Sequence, residues 1–135
     1  MIDAAAVLSE PRPPYGHKDR LGKSGEAAAA RHLEARGLRI LEAGYRTPAG
    51  EIDLIAEEGD ALVFIEVKTR SSLRCGRPGE AVDARKQGRI VRAAQLYLLR
   101  RNRSDHPCRF DVVEVLVEPG AALRIHHIRD AFQPG

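Results

Sequence analysis

The run Leu62-Val63-Phe64-Ile65-Glu66-Val67-Lys68 carries two charged residues where a buried strand should continue. Side chains alternate across a strand, so Leu62 and Phe64 share a face with Glu66 and Lys68. That face begins in the core and turns ionic halfway along. An unpaired buried charge is costly and tends to neutralise itself, so this strand end is expected to open on a cleft. Asp53 lies on the preceding strand, and the polar connection Glu57–Asp60 folds it back near Glu66. Two carboxylates this close repel each other, and a divalent cation relieves the repulsion better than a lysine does. Mg²⁺ commonly takes one or two carboxylates and fills its shell with water and phosphate oxygens. Such a site could polarise a phosphodiester, with Lys68 orienting the attacking water or steadying the developing charge. The same cluster could also be a structural salt-bridge network at a sheet edge, and spacing alone leaves both readings open.

The elements that must position these groups follow from periodicity. A first helix is expected over Lys18–Arg36, with Ala27–Ala30 in its interior and Gly37 as its stop. Glu26, Ala30 and Leu33 fall on one stripe, so Glu26 either faces the sheet or, with the helix rotated, reaches solvent. A second helix is expected over Glu80–Arg101, with Lys86 among Val82, Ile90 and Ala93. Lys86 either joins the cleft or snorkels along its stem. Strands are expected at Leu38–Leu41, continuing toward Arg46, then at Glu51–Ala56, Ala61–Thr69, Arg109–Val117 and Leu123–Ile128. In the second of these, Ile52, Leu54 and Ala56 are expected on one face and Glu51 and Asp53 on the other. The order of helix, three strands, helix, two strands implies an α/β sandwich around a mixed sheet. Prolines at 11, 13 and 14 make residues 1–17 a loose tail before a single domain spanning 18–135.

With 43% apolar and 30% charged residues the composition is that of a globular domain. No apolar stretch reaches the roughly 20 residues a membrane helix needs. Acidic Met1–Ala6 does not read as a secretory leader, and Cys75 and Cys108 read as free thiols, both expectations of a cytoplasmic protein. His126-His127 points its rings to opposite faces of a strand, which does not suit zinc. Net charge is +3, yet residues 68–109 hold 12 basic against 3 acidic side chains. Such a block suits phosphates, with Arg70, Arg74, Arg85, Arg89 and Arg92 as the candidate nucleic-acid contacts. A solvated helix face would have the same composition.

Gly25-Glu26-x-x-Ala29, Gly50-Glu51-Ile52-Asp53-Leu54-Ile55-Ala56 and Phe64-Ile65-Glu66-Val67-Lys68-Thr69-Arg70 closely resemble the YraN family of small bacterial proteins. Gly76-x-Pro78-x-Glu80-Ala81, Lys86, Arg109-Phe110-Asp111-Val112-Val113 and Ala131-Phe132 continue the likeness over roughly residues 20–132. That family is similar to the PD-(D/E)XK nuclease superfamily, which includes restriction enzymes and resolvases of branched DNA. The resemblance implies a restriction-endonuclease-like α/β/α sandwich with a central mixed sheet, and a Mg²⁺- or Mn²⁺-dependent endonuclease. Asp53 matches the superfamily aspartate, Glu66 and Lys68 its E-x-K, and Glu26 the helical glutamate that assists metal binding. Lys86 resembles an auxiliary basic residue on the following helix. Glu51 belongs to the family's own pattern, as a residue standing behind the ligands. Tyr45 is a departure, since the family usually has asparagine before Arg46.

Two other functions fit the same residues. One is a non-catalytic nucleic-acid-binding or scaffold protein that keeps the fold. The other has the helix faces forming a homodimer or docking a protein partner.

Overall fold

The structure is a computed structural model that describes residues 20–71 and 82–134. Helix α1 (Arg20–Ala35) is followed by strands β1 (Arg39–Thr47), β2 (Gly50–Glu58) and β3 (Ala61–Ser71). Helix α2 (Ala84–Arg100) then leads to β4 (Cys108–Val117) and β5 (Arg124–Phe132). The five strands form one sheet in the order β1-β2-β3-β4-β5. β3 and β4 run parallel, and the other neighbours are antiparallel. Parallel neighbours require a crossover, and α2 supplies it. The sandwich and mixed sheet expected from the sequence are therefore present. The expected tail at 1–17, Arg74 and Cys75 lie outside the described residues, and the second helix, expected from about Glu80, begins at Ala84 with Asp83 extended before it.

Two cores lie on the two faces of the sheet. Leu62 and Phe64 pack with Ile52, Ile55, Phe110 and Val112 on the face covered by Ile90, Ala93 and Tyr97 of α2. Val63 and Ile65 pack with Leu54, Ala56 and Val113 on the face covered by Ala29, Ala30 and Leu33 of α1. The continuous apolar run of β3 is thus explained by burial on both sides. Small residues let α1 approach the sheet closely. A Cβ added at Gly25 would stand 2.0 Å from Thr69 Oγ1. Gly37, with φ +97°, ends the helix in the left-handed region, and Leu38 N–H closes the turn on Leu33 O at 3.0 Å. At the start of α2 the Asp83 carboxylate accepts from Lys86 N–H at 2.9 Å.

β2 corrects one expectation. Ile52, Leu54 and Ala56 do not share a face: Ile52 joins the core under α2, whereas Leu54 and Ala56 join the one under α1. The regular pairing of β2 with β3 ends at Leu54↔Ile65. Beyond it, the Val67 N–H that a continued ladder would give to a β2 carbonyl goes instead to Asp53 Oδ2, at 2.8 Å. Across the other edge of β2, Gly44 at φ +68° turns β1 with it. Tyr45 then packs edge-on against Tyr97 with ring centroids 5.2 Å apart, and its hydroxyl accepts from Arg100.

Asp111 anchors the far side of the sheet. Its buried carboxylate accepts from Arg109 Nε at 3.0 Å and from the Asp130 backbone N–H at 2.9 Å, and lies 2.7 Å from His127 Nε2. Asp130 has φ +53° where the β4–β5 register slips between Phe110↔Phe132 and Val112↔Ile128. The carboxylate satisfies the backbone of that bulge. His126 is exposed while His127 is drawn to Asp111, as strand alternation requires.

Candidate active site

The charged end of β3 is where β2 leaves its regular pairing. Asp53 is buried there, fixed by its bond from Val67 N–H. Glu66 faces α2, continuing the stripe of Leu62 and Phe64, and is only 4% exposed. Lys86, on the first turn of α2, reaches across and ion-pairs with Glu66 Oε2. Lys68 follows on the same stripe of β3, half-buried. Asp53 of β2, Glu66 and Lys68 of β3 and Lys86 of α2 therefore lie together.

Their electrostatics follow from this proximity. Burial, and then the Asp53 carboxylate, push Glu66 up to about 7, against the pull of Lys86. Burial, and then the Lys86 ammonium, hold Lys68 below the usual lysine range, while Glu66 and Asp53 oppose that shift. Lys86 is disfavoured by burial as well, yet its bond to Glu66 carries it above the usual range. Two carboxylates near enough to repel form the kind of donor pair a divalent cation relieves. The two carboxylates lie within hydrogen-bonding reach of each other, with Lys86 on Glu66 Oε2 and the Val67 N–H on Asp53 Oδ2. Among the described residues no three His, Cys, Asp or Glu side chains gather into a single metal nest. The donor pair thus fits an ion such as Mg²⁺, which leaves most of its shell to water and substrate.

The remaining candidates distribute around this centre. Glu26, expected as a third metal ligand, is half-buried on α1 beside the Gly25 that abuts Thr69, and it does not gather with Asp53 and Glu66 into one nest. Glu51 pairs with Arg46 across the β1–β2 hairpin at 3.6 Å. Arg70 turns to the buried Glu114 carboxylate, 3.6 Å away. Arg85, Arg89 and Arg92 are exposed on α2, whose span Ala84–Arg100 contains no acidic residue. The hairpin turn at Gly50 abuts this helix, since a Cβ added there would lie 3.2 Å from Arg89 Cβ.

Glu114 escapes the sequence reading. It is 3% exposed and stands beside Lys68 in the parallel β3–β4 register. The signal was present as a single charge within the apolar stretch Val112–Val117, the same signal that singles out Glu66.

No helix among the described residues is long and apolar enough to cross a membrane. Among solved structures, one titled "The structure of Pyrococcus Furiosus SfsA in complex with Ca2+" is similar at a TM-score of 0.40 and 14% identity, covering 81% of this chain and 62% of that one. Sequence likeness is far stronger. The chain is 54% identical to the "UPF0102 protein STH1475" of Symbiobacterium thermophilum over 113 residues, covering 84% of this chain and 96% of that protein. It is 47% identical to a UPF0102 protein of Beutenbergia cavernae, covering 83% and 95% respectively. A UPF0102 protein of Moorella thermoacetica is 52% identical over 73% of this chain and 82% of its own length. Residues 25–115 match the profile described as "Uncharacterised protein family UPF0102". The chain belongs to the UPF0102 family, the YraN proteins to which its motifs already pointed.

Proposed function

We propose that this protein is a metal-dependent endonuclease that hydrolyses phosphodiester bonds in nucleic acid, DNA above all, in the cytoplasm. The observation that carries the reading is the meeting of Asp53, Glu66 and two lysines where β2 parts from β3. Asp53 and Glu66 would hold Mg²⁺ or Mn²⁺. When bound, the ion supplies Lewis-acid polarisation of the phosphodiester. Lys68 orients the attacking water and steadies negative charge gathering on the phosphoryl oxygens. The bond from Val67 N–H fixes Asp53 in advance, so its carboxylate needs no ordering when substrate arrives. Arg85, Arg89 and Arg92 receive the nucleic-acid backbone, and Arg70 holds the β3–β4 junction through Glu114.

The test is a panel of labelled linear, single-stranded, flapped and branched DNA and matching RNA, incubated with Mg²⁺ or Mn²⁺. Cleavage is expected from the native protein and not from Glu66→Ala or Lys68→Ala. Cleavage untouched by both substitutions would exclude this site. The exposed arginines of α2 also favour a second reading, a nucleic-acid-binding protein without turnover. Salt-sensitive binding with no cleavage under either metal would establish it in place of the first.

A further inference from the structure

The groups around Glu66 are not equally fixed. Glu66 is 4% exposed and built into the sheet, whereas its partner Lys86 is 37% exposed on the first turn of α2. Asp53 is tied to Val67 N–H at 2.8 Å. Lys68, on the same strand as Glu66, is half-buried. Of the two lysines beside the carboxylate pair, Lys86 is the one ion-paired with Glu66, so it is the one that an ion taking that oxygen must displace.

Charge counting then separates the states the site can adopt. With both carboxylates ionised, as a bound cation requires, the two lysines balance them. A divalent ion added with both lysines in place leaves an excess of two positive charges at a partly buried, partly screened site. Departure of the Lys86 ammonium lowers that excess to one, the charge that a single phosphodiester cancels. We propose that Lys86 is an exchangeable counter-cation of the Asp53–Glu66 pair, occupying the carboxylates until a divalent ion displaces it, and so a positioning residue that couples metal loading to anionic substrate. This rests on the metal-site reading above. Once displaced, the ammonium stands at the head of the helix that exposes Arg85 and Arg89, facing the side from which phosphates would come.

The test titrates Mn²⁺ alone, followed by calorimetry, into the full chain and its variants, with no nucleic acid present. Lys86→Met is expected to bind Mn²⁺ about tenfold or more tightly than the native protein, the scale of removing one competing charge from a partly screened site. Lys86→Gln carries the same expectation should Lys86→Met not fold. Lys86→Arg keeps the charge and should bind close to the native affinity, while Glu66→Gln should lose binding. Native binding with no gain in either neutral variant would overturn the exchange and leave the metal site standing. A gain in Lys86→Arg as large as in Lys86→Met would overturn it too, because charge would not be the cause. Absence of Mn²⁺ binding in native and neutral variants alike would overturn the metal site, and the exchange with it.

Discussion

A carboxylate with no water around it survives ionised only where hydrogen-bond donors replace the water. At Asp111 burial disfavours the charge, but His127, Arg109 and the Asp130 N–H outweigh it and hold the carboxyl below its ordinary 3.8. Because the folded value lies below the unfolded one, this group stabilises the fold fully above about pH 4. That contribution is lost as pH falls through the lower folded value. Asp111→Asn should cost about 2–3 kcal/mol at neutral pH, the scale of bonds to a buried charge. Urea midpoints followed from pH 6 to 2 should show the gap between native and variant protein closing only at the acid end; a gap independent of pH would refute the account. Glu66 is the opposite case, a buried carboxyl facing another, and Glu66→Gln should unfold at higher denaturant than the native protein while losing the proposed metal. The contrast explains what could be read from sequence. Glu66 and Lys68 stand on a stripe that alternation had already marked as core, and Lys86 on the matching stripe of a helix. Asp111 sits in a strand as conspicuously, but its partners His127 and Asp130 meet it only through a bulge, and bulges have no periodic signature.

Single side chains act here through the elements that carry them. Arg85, Arg89 and Arg92 recur at helical spacing along about 10 Å of α2, a span set by the 1.5 Å rise per residue. Among the described residues they have no ion-pair partner, so their field is directed at solvent. If phosphates meet them, replacing all three with glutamine should flatten the dependence of binding on salt by roughly 2–3 in log–log slope, about 0.9 per duplex phosphate contact. Fluorescence anisotropy in EDTA reads this apart from any cleavage, and an unchanged slope would move the contact elsewhere. On the opposite face the limiting contact is Gly25 on Thr69. Gly25→Ala should cost about 1–3 kcal/mol by overpacking, and Thr69→Ala should recover most of that by removing the hydroxyl it would meet. A double-mutant cycle in denaturant measures the coupling, and additive losses would contradict it. The end of α1 and the five strands were legible because Gly37, the alanine run and the apolar stripes are local signals. The parting of β2 from β3 was not. It depends on Asp53 taking the place of a ladder carbonyl, which no pattern within β2 records.

At the scale of the whole molecule, topology decides that a site forms at all. β3 and β4 are parallel, so the chain must leave the end of β3, cross over, and return beside it. The crossover helix is thereby seated near the strand end that carries Glu66 and Lys68, and Lys86 on its first turn reaches Glu66. Strand ends at such crossovers are where open α/β sheets most often place ligands. The carboxylate pair also joins parts of the fold that share no regular backbone pairing, since the β2–β3 ladder has already ended at Leu54↔Ile65. An ion held by Asp53 and Glu66 would bridge that opening. It would bind the folded chain and not the unfolded one, adding about 2.7 kcal/mol of stability at a hundredfold excess over its Kd. For a domain of this size that corresponds to a rise of several degrees in Tm. The native protein is expected to show that rise with Mn²⁺ and to lose it with EDTA, whereas Glu66→Ala should melt at one temperature under both conditions. A rise of equal size in Glu66→Ala would mean that the ion is held by other residues, and the opening between β2 and β3 would then have no part in binding it.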